Sequence, residues 1–309
     1  MDFRQLRYFV AIYEHRSLTG AARETRVAVS ALSHHLARLE TELGTTLFER
    51  RPRGLVATAA GERLLVHART LLRGLQTAER DLRDSREVVV GDVAIGLAYS
   101  AVKAIGVPLV QRVTEAYPRL RLSLSESLSG STLLHLLASE VDLAVVFNPP
   151  EDSRLLTRPI LDETLHCVGR PEVIGAAGGP LTFEEVLQLP IIALRHGLSA
   201  RAIMNDTTLL KRMEAAARFQ MNSVQAITGL LLAGQGCAIG TRHIFSEPIA
   251  RGDLHVRPVI EPALRRTLYL CKLAGRPASF AVETVERLVI DLLIETVRDG
   301  GWDAEPALS

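Results

Sequence analysis

The chain is short of several things, and each shortage removes a class of function. Its 309 residues hold only three cysteines, Cys167, Cys237 and Cys271. They form no CxxC pair and sit inside apolar segments, so they read as buried reduced thiols rather than bridges or metal ligands. No apolar run is long enough to cross a bilayer, and no positively charged start leads into one. That predicts a cytoplasmic protein with no membrane partner, and argues against a secreted solute-capturing component. Charge of one sign is lacking too: 36 Lys plus Arg face 35 Asp plus Glu. The sequence has no GxSxG elbow, no P-loop, no HExxH and no acid pair that could be placed together, so no catalytic residue, metal site or cofactor is predicted. Gly234-Gln235-Gly236 lacks the third glycine of a dinucleotide fingerprint and follows a helical segment, which makes it a turn.

What is present is uneven. A chain of this length exceeds one hydrophobic core, so two or three domains are expected. Residues 1–87 carry 15 Arg against 11 acids, a net +4, while the remainder is net negative. A basic front end permits nucleic-acid binding without requiring it.

The stretch from Thr58 to Arg86 divides the chain. Leu64, Ala68, Leu71, Leu75, Ala78 and Leu82 alternate at spacings of four and three, the seam of a two-stranded coiled coil, and Thr58 is placed to cap the helix. The spacing predicts a linker helix that pairs with its own copy. An amphipathic helix lying along its own domain is the alternative.

Ahead of it, Leu6, Phe9, Val10 and Tyr13 mark a helix over Arg4 to His15. Ser17 caps a short second helix with a narrow Leu18, Ala21, Ala22 face. After a turn at Arg26 to Val29, Ser30 is the expected cap of a third helix, with Leu32, Leu36, Leu39 and Leu43 buried and Gly44 ending it. Two helices joined by a tight turn make a helix-turn-helix. Its outward face carries Ser30, Ser33, His34 and Arg38, groups able to reach base edges in a major groove, or simply the polar face of a three-helix bundle. Phe48 onward predicts a short hairpin with Arg50, Arg51 and Arg53 near its tip, a wing suited to phosphates.

The run Ser30-Ala31-Leu32-Ser33, Leu39-Glu40, Glu42-Leu43-Gly44, Leu47-Phe48-Glu49-Arg50 and Thr58-Ala59-Ala60-Gly61 resembles the N-terminal signature of LysR-type transcriptional regulators, with most likeness to the nitrogen assimilation control type. The resemblance runs from Phe3 to about Val297. Two departures stand out: Val29-Ser30 where the family commonly has Gln-Pro, and Thr241 where it often has proline. Val29 offers only apolar contact, for example to a thymine methyl, so operator preference should differ.

From Glu87 the pattern becomes short apolar runs alternating with helical segments, an α/β fold. Strands are expected at Val88 to Leu97, Leu120 to Glu126, Leu143 to Phe147, Thr164 to Val168, Pro190 to Leu194, Phe219 to Asn222, Cys237 to Gly240 and Thr267 to Leu273. Helices are expected at Lys103 to Ala116, Ser131 to Ser139, Ala200 to Arg218, Val224 to Ala233 and Ser279 to Arg298.

The resemblance implies a winged helix-turn-helix (1–57), a linker and dimerisation helix (58–87), and two Rossmann-like lobes of the periplasmic binding protein type. Lobe I would take 88–161 plus 268–309, and lobe II 162–267, joined by crossing strands near Asp162 to Gly169 and Thr267 to Ala274. A small anion or carboxylate effector would sit between them, near Ser100, Ser129, Phe147, Asn148, Arg195, His196 and Ser223. Each serine taken singly is equally a plain helix cap. The resemblance further implies a homodimer or homotetramer that binds double-stranded DNA and engages RNA polymerase. The rival from another class is an α/β small-molecule-binding enzyme with an N-terminal interaction module.

Overall fold

The structure is a computed structural model and describes residues 1–52, 54–83, 89–175, 179–194, 198–204 and 206–307. The chain divides into two compact units, one built on the first 85 residues and one on most of the remainder. The junction expected near residue 87 lies outside the described residues.

The N-terminal unit comprises α1 (Phe3–His15), α2 (Leu18–Thr25), α3 (Val29–Leu43), the hairpin β1 (Phe48–Arg51) and β2 (Gly54–Ala57), and α4 (Ala59–Arg83). Asp2 and Gln5 form a reciprocal cap at the start of α1, and Ser17 caps α2 through Gly20 N–H. Leu6, Phe9 and Ile12 of α1, Ala21 and Ala22 of α2, and Leu32 and Leu39 of α3 are buried together, with Phe9 and Phe48 rings 5.3 Å apart. The alanines let α2 approach closely, as their size predicts. Two expectations for α3 fail. It begins two residues earlier, with Ala28 as an N-cap that makes no side-chain bond, so Ser30 lies inside the first turn. Leu43 is exposed because Gly44 turns the chain away before anything covers it.

The signature residues after α3 have a mechanical role. Glu40 Oε1 accepts from Leu47 N–H (2.7 Å), fastening the end of α3 to the wing. Thr58 N–H donates to Leu47 O (2.9 Å), and Thr58 Oγ1 donates to Thr46 O and accepts from Gly61 N–H, so Thr58 is the cap of α4. Gly61 is required there, since a β-carbon at that position would lie 2.3 Å from Leu47 O. At the other end of the wing, Leu55 N–H bonds Arg16 O (2.9 Å), and Gly54 takes φ +117° with no room for a side chain against the same carbonyl.

The C-terminal unit begins β3 (Gly91–Ala98), α5 (Tyr99–Ala116), β4 (Leu120–Ser127), α6 (Ser129–Leu137), β5 (Leu143–Phe147), a βαβαβ run with β4 and β5 parallel to β3 on either side. Then come β6 (Leu155–Thr164), β7 (His166–Gly169), α7 (Pro171–Ile174), β8 (Leu181–Thr182), α8 (Phe183–Leu187), β9 (Ile192–Leu194), α9 (Leu198–Arg201), α10 (Thr207–Ala216), β10 (Phe219–Met221), α11 (Val224–Leu232), β11 (Cys237–Gly240), α12 (Ser246–Ala250), β12 (His255–Ile260), β13 (Arg265–Leu273), α13 (Phe280–Arg298) and β14 (Glu305–Pro306).

The first sheet has the order β14-β6-β13-β5-β3-β4, and the second β11-β7-β12-β8, with β9 and β10 paired beside it through an Ile191–Cys237 bridge. The hand-over between sheets falls at Leu165 and Leu264, whose backbones bond each other (2.9 Å). Three expectations are corrected. The strands β6 and β12 were not foreseen as such, the helix expected over Ala200 to Arg218 is broken into α9 and α10, and α5 starts at Tyr99 rather than Lys103. The break is made by Asp206, whose carboxylate caps α10 through Thr208 and Leu209 N–H. All three cysteines are buried and unbridged; burial raises the Cys271 thiol to about 12, and the neighbouring Cys237 together with burial raises Cys167. Among the described residues no helix is long and apolar enough to cross a membrane.

Candidate DNA-contact surface and effector cavity

Four residues predicted for base contact sit on α3, Ser30, Ser33 and His34 in its first half and Arg38 one turn further on. Ser30 and His34 are exposed, Ser33 is half-buried, and Arg38 is exposed with its Nε bonded to Glu42 (3.0 Å) one turn on. Val29, at the first position of the helix, is also exposed. His35 points the other way and packs on Tyr8. The wing arginines Arg50 and Arg51 are exposed, and Arg51 pairs with Glu49 (2.7 Å) across its own strand. Arg53 lies outside the described residues. Exposed ion pairs of this kind are worth little in water and exchange readily for another anion.

Helix α4 has two working sides. Gly61, Leu65 and Ala68 are buried, Leu64 and Leu72 pack against the same core, and Tyr13 Oη donates to Glu62 (3.0 Å) at its first turn. Of the predicted seam, Ala68 therefore belongs to the domain's own core, whereas Leu71 is 46% exposed and Ala78 is exposed, with Leu75 between. The side chain of Leu82 lies outside the described residues.

The C-terminal unit carries an open cavity between its two sheets. It opens where the strand order reverses, at the carboxyl ends of β3, β4 and β5, the position at which doubly wound sheets bind ligands. Ser100 on α5, Ser129 at the start of α6 and Phe147 at the end of β5, three of the residues expected near an effector, line it. Ala98 precedes α5 without a side-chain cap, so the first N–H groups of that helix are left for another acceptor. Ser129 Oγ accepts from Phe147 N–H (3.1 Å), which leaves its own hydroxyl proton free for a ligand. The opposite wall comes from the second lobe: Leu194, Ala202, Ile203, Val224 and Ile244.

Two predicted residues are not brought into this wall. Asn148, in the left-handed region at φ 42°, spends its Oδ1 on Thr267 N–H (3.0 Å). Ser223 is exposed and caps α11 through Ala226 N–H (3.2 Å), while its neighbour Val224 reaches the cavity. Arg195 and His196 lie outside the described residues. Thr241, the second departure from the family pattern, is buried and accepts from Ile244 N–H (3.4 Å), shaping the loop that carries Ile244.

The charged side chain that the sequence reading missed is Arg266 on β13. It lines the cavity, stacks on the Phe147 ring at 3.6 Å, and donates through Nε to Glu163 Oε1 (2.6 Å); its Nη2 lies against the same oxygen outside hydrogen-bond geometry. Glu163 Oε2 accepts from Trp302 Nε1 (2.6 Å), and Trp302 stacks on His243 with ring centres 4.7 Å apart. The His243 Nε2 contacts Ser100 O at 3.1 Å, and its Nδ1 contacts Gly301 O at 3.0 Å. Lys103 Nζ donates to Ile244 O and Ser246 Oγ, both at 3.0 Å. The two lobes are thus tied together beside the cavity, and burial lowers the pKa of both His243 and Lys103.

The comparisons agree with both halves of this description. The model of the bacterial regulatory helix-turn-helix protein, lysR family, matches residues 3–62, and that of the LysR substrate binding domain matches residues 86–293. The nitrogen assimilation regulatory protein nac of Klebsiella aerogenes is 32% identical over 295 residues, covering 95% of each chain. The protein of the same name in Escherichia coli strain K12 is 30% identical over 241 residues, covering 77% of this chain and 78% of its own. Among solved structures, a full-length OxyR variant from Pseudomonas aeruginosa superposes with a TM-score of 0.71 at 21% identity, covering 95% of this chain and 94% of that one. Full-length LysG from Corynebacterium glutamicum, solved with bound effector Arg, gives 0.61 at 18% identity, covering 96% and 99%. These two likenesses establish the fold. The family and its named relatives are regulators and not enzymes. The chain belongs to the LysR-type transcriptional regulators, DNA-binding proteins with a C-terminal effector-binding domain.

Proposed function

We propose that this regulator reads its operator through Ser30, Ser33, His34 and Arg38 of α3, anchors on phosphates through Arg50, Arg51 and Arg53, and is switched by a small anion held in the cavity of the C-terminal unit. Copies pair through the exposed side of α4, around Leu71, Leu75 and Ala78, so half-sites are partly palindromic. In this reading a tetramer holds two neighbouring sites and bends the DNA between them at an elastic cost of roughly 1–6 kcal/mol. Effector binding changes lobe closure, and with it the bend and the placing of RNA polymerase. It does so only in proportion to its different affinities for the two states.

The observation that carries the reading is the meeting of Ser100 and Ser129, each at a helix start, in one cavity whose far wall belongs to the other lobe. A ligand that touches both lobes there favours one closure over another. A nuclease footprint on DNA upstream of the regulator's own and neighbouring genes, with and without pooled small carboxylates, tests it. A long protected region that shortens or shifts with one pool is expected. Protection that no pool alters would reduce Ser100 and Ser129 to structural positions.

A further inference from the structure

We infer that the effector is a monoanion with an apolar body, its one charge held at the starts of α5 and α6 and its body directed into the second lobe; this rests on reading the cavity as the effector site. The charge count comes from what the walls offer. Each helix start carries about half a unit of positive charge, so two of them balance about one negative charge. Arg266, the charged side chain among the described lining residues, adds nothing to that sum. Glu163 already neutralises it, with both side chains buried, and Trp302 fixes Glu163 in place. Against the described lining residues, a dianion would leave about one charge without a counterpart in a site of low dielectric, and an ammonium group would meet no unpaired carboxylate.

Apart from Tyr99, the rest of the described lining is hydrocarbon. Leu194, Ile203, Val224 and Ile244 form its far wall, and the same four residues line a second, apolar cavity inside the second lobe, together with Met213 and Phe245. Among the described residues, a ligand that places its carboxylate at Ser100 and Ser129 and points away from them meets these aliphatic faces. Branched or aromatic bodies fit that surface. A second polar end does not.

The test uses the full-length protein and the emission of Trp302, which is the chain's one tryptophan and is linked through Glu163 to Arg266 in the cavity wall. Titration calorimetry supplies an independent affinity. The probes share one body: hydrocinnamate, its amide, free phenylalanine and phenylsuccinate. Hydrocinnamate should bind at least about tenfold more tightly than the other three, about 1.4 kcal/mol. Ile203→Phe and Val224→Phe, which thicken the shared wall, should each weaken it by a similar factor. Phenylsuccinate or phenylalanine binding as tightly as hydrocinnamate, and losing that binding in the two variants, would overturn the charge count while keeping the cavity as the effector site. Hydrocinnamate binding that both variants leave unchanged would overturn the inference together with the site. No response to any probe at millimolar concentration also overturns the inference, and a footprint that another carboxylate pool still shifts would then keep the site. The order of the probes on the unmodified protein decides even where a variant fails to fold.

Discussion

Arg266 and Arg51 each pair with a glutamate, and the two pairs have different consequences. Arg51 and Glu49 are 61% and 55% exposed at the side chain, so the pair is screened and Glu49 gives way to a phosphate at little cost. Replacing Arg50 or Arg51 with alanine should therefore weaken binding to operator and random DNA about equally and lower the salt slope by about one. His34→Ala should instead change which operator is preferred. Titrations on both DNAs at several salt concentrations separate the two behaviours, and an equal loss for His34→Ala would remove it from base readout. Arg266 and Glu163 are 5% and 1% exposed. Glu163→Gln leaves a buried guanidinium uncompensated and should cost about 3–5 kcal/mol in urea unfolding of the C-terminal unit. Trp302→Phe removes one bond to a charged group and should cost less, about 1.5–3 kcal/mol. Equal midpoints for Glu163→Gln and the parent would show that the pair contributes no stability.

At the scale of elements, α4 contains its own control. A β-carbon at Gly61 meets Leu47 O at 2.3 Å, whereas one at Gly74 meets nothing within 4 Å. Gly61→Ala must push the helix off the wing and should destabilise the N-terminal unit by about 1–3 kcal/mol. Gly74→Ala should stabilise the same helix by up to about 1 kcal/mol. Thermal unfolding followed by helical circular dichroism measures both, and opposite signs are the expected result. The same contrast shows why some elements were legible in the sequence. Helices α1, α11 and α13 announce themselves through apolar spacing that the core then uses, as do the strands β3 and β5, which are buried runs. Strand β6 did not, because Pro159 interrupts it and Leu156 is exposed. The proline is accommodated beside the register shift opposite Leu268 and Tyr269, a feature of pairing and not of local sequence. Pro258 hid β12 in the same way. The start of α10 was readable, since Asp206-Thr207 is a good cap signal that a continuous apolar pattern overrode. Arg266 was not readable. Next to Arg265 at the start of a strand it reads as solvated, and its burial depends on the Phe147 ring and on Glu163, 103 residues away.

For the molecule as a whole, the exposed Leu71 predicts association, and Leu71→Asp should lower the oligomer to a smaller species in sedimentation velocity. A variant that sediments as the parent does would remove α4 as the pairing element. The pH dependence of stability follows from two buried imidazoles in the C-terminal unit. Burial lowers His166 from its ordinary value of 6.5, and nearby Arg242 adds to the effect against the opposing pull of Asp303; among the described residues its Nδ1 has no hydrogen-bond partner. Burial likewise lowers His243, against the opposing pull of the Ser100 and Gly301 carbonyls, and as a neutral ring it donates to only one of them. Well above 6.5 both rings are neutral folded or unfolded, and their contribution to stability is complete. As the pH falls below 6.5 the unfolded chain binds protons that the folded chain excludes, so stability is lost progressively until the lowered folded values are passed. The melting temperature of the C-terminal unit should accordingly decline between about pH 7 and pH 5. Changing both residues to glutamine should flatten that decline even where it lowers the plateau. A slope that survives the double change would place the titration on carboxylates, and would leave the contact between His243 and Ser100 insensitive to protons.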